Sequence, residues 1–293
     1  MADASPTAVV TDTTSYLPED MLAELGVERV SLYVTLDGEQ SRERDISGEA
    51  YDDFYERLAR SKTGASTSQP SVGDFREVYE PLLEQGREIV SIHLSAGISG
   101  TMNAAEQARQ QLIDEGKGGE RIHVWDSRSA CGGQGLMVIR AARSAAQGKS
   151  ATDVLEDVER ARGQLKMWFA IDTLEYLRKG GRIGAAQAWL GSALQIKPIL
   201  TLEEEITPVE RVRTRRRAFE RMVEFARERQ RDGADAWVVQ HIHDPDTARR
   251  LIDECRQIFE CDPVFVSEIG PVIGAHIGPG LLGVGGLPKS VLG

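Results

Sequence analysis

From residue 7 to about residue 165, short strand-like runs alternate with helical segments that carry their own start and stop signals. This rhythm admits few architectures. Thr7-Ala8-Val9-Val10-Thr11 is short and β-branched, and the helix after it starts near Pro18, suited to a first turn, and stops before Gly26. Residues 29–36 read as a second strand. Ser47 caps a helix whose apolar positions Ala50, Phe54 and Leu58 recur every four residues. Ser71 with Asp74 three residues on forms a capping box for a helix that buries Phe75, Val78 and Leu82. Residues 89–94 are a strand, followed by a loop over 95–100 and a helix from Thr101. A strand over 121–125, a helix over 136–146 and a helix opened by Ser150 and Asp153 complete the series. Parallel strands joined by crossover helices give an α/β fold with a mostly parallel sheet.

After Lys166 the pattern changes. A strand over 167–171 leads to a helical stretch over 174–194, interrupted at Gly180-Gly181. Residues 196–202 and 206–212 form a hairpin closed by the acidic turn 203–205, and a basic helix spans 214–231. Strand 236–242, helix 245–259, strand 264–269 and a glycine-rich tail follow. The expected organisation is an N-terminal α/β domain over 1–165 and a C-terminal α/β domain over 166–293. Residues 269–288 contain no charged side chain if His276 is neutral, which is a membrane-spanning length. They also contain seven glycines and three prolines, so irregular chain packed on protein is expected, with no integral membrane segment.

Charge and cysteine content narrow the function. Thirty-five basic against 46 acidic residues give a net charge of −11, which disfavours nucleic-acid binding. Cys131, Cys255 and Cys261 contain no C-x-x-C pair, and the first residues lack the basic and apolar parts of a signal peptide. A reducing cytoplasm is the expected location.

Two hydroxyl-rich loops carry the most chemical information. Residues 66–71 precede a capped helix, and Ser95-Ala96-Gly97-Ile98-Ser99-Gly100-Thr101 lies between a buried strand and a helix. Helix N-termini beside serine and threonine donors suit a small anion such as a carboxylate. The plain alternative is that Ser71 and Thr101 only cap helices. Ser99 also imitates a nucleophile elbow, with Asp244 and His276 following in order, which would make a serine hydrolase of lipid esters. The G-x-S-x-G spacing fails at Thr101. Glycines frame His276, which either donates to a carboxylate or is satisfied by backbone in a tight turn. His241 and His243 share a strand face, but no further ligands at metal spacing accompany them, so no metal is expected. Arginines 211, 213, 215, 216 and 217 suit either an acidic or phosphorylated partner or a solvated face neutralised by Glu210 and Glu220. Residues 183–196 are uncharged, including Trp189 and Leu194, and form either core or the wall of an apolar slot.

Taken in order, several segments resemble the DegV family of bacterial lipid-binding proteins. They are Val10-Thr11-Asp12-Thr13-Thr14-Ser15, Thr67-Ser68-Gln69-Pro70-Ser71, residues 94–101, Trp125-Asp126-Ser127-Arg128-Ser129, residues 172–183 with Lys179-Gly180-Gly181-Arg182-Ile183, Lys197-Pro198-Ile199-Leu200 and residues 274–280. The resemblance implies a two-domain α/β protein with one long-chain fatty acid, such as palmitate or oleate, held between the domains and no cofactor. Residues matching Thr67 and Ser99 would bind the carboxyl group, with His276 and Ser95 nearby. The family's role implies presentation of the acid to a separate fatty acid kinase subunit, with Arg213 in contact with that partner and no catalytic residue of its own. The chain departs from the family in having Ala96 in place of a frequent serine and Thr214 in place of a frequent glycine.

Overall fold

The computed structural model describes residues 6–46, 49–190 and 196–293. Its strands are β1 (Thr7–Asp12), β2 (Val27–Val30), β3 (Tyr33–Leu36), β4 (Glu39–Arg42), β5 (Ala65–Ser68), β6 (Glu88–His93), β7 (Ile122–Asp126), β8 (Lys166–Ala170), β9 (Lys197–Leu202), β10 (Ile206–Val212), β11 (Ala236–His241), β12 (Phe265–Glu268) and β13 (Leu282–Leu287). The helices are α1 (Glu19–Leu25), α2 (Glu49–Arg60), α3 (Val72–Glu84), α4 (Thr101–Asp114), α5 (Cys131–Ala146), α6 (Ala151–Gln164), α7 (Glu175–Lys179), α8 (Arg215–Arg231), α9 (Pro245–Phe259), α10 (Pro271–Ile277) and α11 (Lys289–Leu292). Three sheets result. The order β2-β1-β6-β7 is fully parallel, as the strand–helix rhythm requires. The order β10-β9-β8-β13-β11-β12 is antiparallel except for β11 with β12. A small antiparallel sheet, β4-β3-β5, stands apart. Among the described residues no helix is long and apolar enough to cross a membrane.

Local signals hold where the physics is local. Ser71 Oγ accepts from Asp74 N while Asp74 accepts from Ser71 N, completing the capping box of α3. Ser150 and Thr214 cap α6 and α8 through their hydroxyls alone, which accept from Asp153 N and Arg217 N. The expected cap Ser47 lies outside the described residues, as does Leu194.

Three expectations are corrected. Residues 29–36 do not form one strand: the chain breaks after Val30, sending β2 to the parallel sheet and β3 to the small one. Residues 65–68 are not loop but β5, paired with β3 through Thr67 opposite Val34. The glycine-rich tail is not irregular, since it supplies helix α10 and strand β13, inside the mixed sheet between β8 and β11. The stretch over 174–194 is interrupted at Gly180-Gly181 as expected, between α7 and a 3-10 segment over Gly184–Trp189, and its residues 191–194 lie outside the described residues.

Helix α5 lies between the two larger sheets. Its residues Leu136, Met137, Val138 and Ile139 share one core with Val9, Val90 and Ile92 of the parallel sheet and with Val238 and Leu287 of the mixed sheet. Apart from Arg143 and its C-terminal end the helix is buried on every side, its polar Gln134, Arg140 and Ser144 included. Its first turn approaches closely because it is glycine-rich: a Cβ on Gly135 would sit 2.7 Å from the Phe265 ring.

Candidate functional site

A cavity of about 310 Å³ is bordered by β5, the loop after β6, the start of α5, the mixed sheet and α10. Its wall is polar and accessible at one end: Thr67, Ser99 and His276 are half-buried, and Gln69 and Arg182 are exposed. Elsewhere it is buried and mostly apolar, with Met167, Phe169, Leu177, Leu281, Cys131 and Gln240. The two hydroxyl loops meet at the polar end. Gln69 lies so close to Gly100 that a Cβ there would fall 2.0 Å from its amide oxygen.

His276 is placed by α10, and α10 is placed by the other half of the chain. The buried Glu43 carboxylate accepts from Val272 N at 2.8 Å and from the Tyr16 hydroxyl at 2.7 Å. The Tyr55 hydroxyl donates to Ile269 O at 2.9 Å. On this support His276 Nε2 lies 2.7 Å from Thr67 Oγ1, while Nδ1 is buried with no hydrogen-bond partner among the described residues. Burial, and then the Arg182 charge, push its pKa down to about 4. The ring is neutral near pH 7 and carries one proton. With that proton on Nε2 the imidazole donates to Thr67 and leaves the threonine hydroxyl hydrogen free for an incoming acceptor.

Ser99 Oγ lies 2.9 Å from Thr101 Oγ1 and accepts from Thr101 N. Ser95 is not on the cavity wall. Its hydroxyl donates to Glu204 O at 2.6 Å and accepts from Gly97 N, so it ties the loop to the hairpin turn instead of facing a ligand. The cavity wall also includes Arg182, whose guanidinium donates to the carbonyls of Gly180 and Ile98. Sequence reasoning saw Arg182 only as the edge of an uncharged stretch and, like Gln69, as part of a motif.

No hydrolase triad assembles. Asp244 caps α9 through Thr247 N and faces Arg215, and nothing orients Nδ1 of His276. His243 pairs with Asp52, and no metal-ligand group of three forms among the described residues. Below the Ser99 loop lies a buried chain: Asp12 accepts from Leu94 N and pairs with His93 Nδ1, whose Nε2 reaches Ser91, which in turn meets the Tyr79 hydroxyl. Burial alone would raise the Asp12 carboxyl, but these hydrogen bonds outweigh it and hold its pKa below the usual value.

Of the arginine run, Arg211 stacks over Trp189 and Arg215 pairs with Asp172, while Arg216 and Arg217 pair with Glu220. Arg213 is exposed, is not among the residues of the cavity wall, and has no ion-pair partner among the described residues.

A family model described as "Uncharacterised protein, DegV family" matches residues 6–289. The chain belongs to the DegV family. A DegV domain-containing protein of Clostridium acetobutylicum is 39% identical over 278 residues, covering 94% of this chain and 95% of that protein. A solved DegV family protein of Thermus thermophilus, described as fatty acid binding, is 34% identical with a TM-score of 0.85, over 96% of this chain and 99% of that one. The DegV fatty acid binding protein of Bacillus subtilis is 32% identical with a TM-score of 0.81, over 95% and 98% of the two chains. The DegV-like motifs of the sequence converge spatially: Thr67, Ser99 and His276 share one end of one cavity, with Gly180 against the imidazole.

Proposed function

We propose that the chain binds one long-chain fatty acid, tail inward, with its carboxyl group at Thr67, Ser99 and His276, and presents that group to a separate kinase subunit for acyl-phosphate formation. The observation that carries this reading is the single cavity that runs from half-buried hydroxyl and imidazole donors to a buried, mostly apolar wall. Burying a long tail yields on the order of 10 kcal/mol gross at ~0.8 kcal/mol per methylene. The carboxylate leaving water then needs donors to meet it, and Thr67, Ser99 and Arg182 offer them. In this reading the chain is a carrier with no catalytic residue or cofactor, working in the bacterial cytoplasm and serving phospholipid metabolism. Its two halves divide near residue 165, where the strands of the parallel sheet (residues 7–126) give way to those of the mixed sheet (residues 166–287). Arg213, left without an ion-pair partner, is the contact for the kinase subunit.

The test is native mass spectrometry of the purified protein, expected to show a co-purifying long-chain acid, followed by oleate titration of the delipidated protein. Thr67→Ala with Ser99→Ala lowers oleate affinity by about tenfold to a hundredfold, at ~1.5–3 kcal/mol for a hydrogen bond to a charged group. An apo mass unchanged by added palmitate or oleate refutes the reading, and wild-type affinity in the double variant refutes the head-group assignment.

A further inference from the structure

One polar side chain on the buried part of the cavity wall has no role in holding a carboxyl group at the Thr67 end. Gln240, on β11, is 5% exposed and lines the cavity beside Met167 and Cys131. Its Oε1 accepts from Gly132 N, in the first turn of α5, at 3.1 Å. A backbone N–H can only donate, so this contact fixes which end of the amide is oxygen and turns the NH2 group the other way. That nitrogen has no acceptor among the described residues, and it lies over Gly283, where a Cβ would come within 2.9 Å of it. Close by, the Ser129 hydroxyl also lines the cavity and has only a 3.5 Å contact to Ala130 O.

We propose that Gln240 is a specificity-determining residue that selects acyl chains carrying a hydrogen-bond acceptor in the tail, a cis double bond or a hydroxyl oxygen, over fully saturated chains. The inference rests on the fatty-acid reading above. A saturated tail laid over the amide strips it of water and returns nothing, whereas a π bond or an oxygen at that depth accepts its N–H. A hydroxyl is the stronger acceptor of the two.

The experiment is competition binding to delipidated wild-type and Gln240→Met protein, with stearate, 18-carbon cis-monoenoic acids differing in double-bond position, and 18-carbon hydroxy acids. Comparing ratios within each protein cancels any general loss caused by the unpaired Gly132 N–H. In the wild type, at least one acceptor-bearing acid is expected to bind about tenfold tighter than stearate, and in Gln240→Met that ratio falls to about one. Gln240→Leu, which likewise removes the amide donor, is expected to lose the preference too. Preference confined to the monoenoic or to the hydroxy acids identifies the source of the acceptor. A wild type without preference, or a ratio unchanged in both variants while stearate still binds, overturns the role of Gln240. Failure of the wild type to bind any of these acids overturns the fatty-acid reading itself and this inference with it.

Discussion

A methyl group on residue 180 would sit 2.2 Å from Nδ1 of His276, inside any allowed contact. The backbone there has φ −76° and ψ −8°, a conformation open to every L-residue, so space and not geometry demands the glycine. Its neighbour Gly181 is the reverse case: φ is +70° and nothing lies within 4 Å of a hypothetical Cβ. In the sequence the two are a Gly-Gly interruption inside a family-like segment, and nothing there tells them apart. This separation makes Gly180→Ala an informative variant. Its backbone admits alanine, but the methyl must displace the imidazole from Thr67, and such overpacking costs about 1–3 kcal/mol. Oleate affinity measured calorimetrically is expected to fall by about tenfold, with a thermal midpoint lowered by a few degrees at most. Unchanged affinity at an unchanged midpoint would mean that His276 takes no part in binding.

At the scale of elements, legibility follows the distance over which each element is determined. The caps Ser71, Ser150 and Thr214 each act within three residues, and the first two are read as caps from the sequence. Strand β13 is not, because Gly283, Gly285 and Gly286 are chosen by what crosses them: Cβ atoms at Gly285 and Gly286 would fall 2.2 Å from Lys166 O and 2.3 Å from Ala236 O. Read alone, those glycines signal turns. Helix α10 depends on long-range partners in the same way, since Glu43 answers Val272 N across more than two hundred residues. Glu43→Ala leaves the buried Tyr16 hydroxyl and Val272 N–H without this acceptor, and the expected loss is about 2 kcal/mol in denaturant unfolding. Oleate binding should weaken as well, because the helix that positions His276 loses its anchor. Stability within about 0.5 kcal/mol of wild type would show that α10 is held by packing alone.

Over the whole molecule, the site is assembled from residues 67, 99, 182, 240 and 276, and no local signal in the sequence says that they meet. The hydroxyl loops pointed to an anion, and only the family resemblance joined them to His276. Arg182 and Gln240 escaped because each acquires its meaning from the cavity wall it joins. The same distribution separates ligand from partner. Arg213 follows β10 on the exposed side of the hairpin, and its neighbours in the run are occupied by Trp189, Asp172 and Glu220. A charge with no internal ion-pair partner, not among the residues of the cavity wall, is suited to a second protein and not to the acid. Under the proposed reading, Arg213→Glu is therefore expected to bind oleate as the wild type does and to lose tenfold or more in affinity for the proposed kinase subunit, because reversing the sign replaces attraction with repulsion at the contact. Surface-immobilised kinase subunit titrated with each oleate-loaded protein measures this directly. Equal affinity for both proteins would remove Arg213 from the interface, whereas lost oleate binding would show that residue 213 shapes the cavity after all.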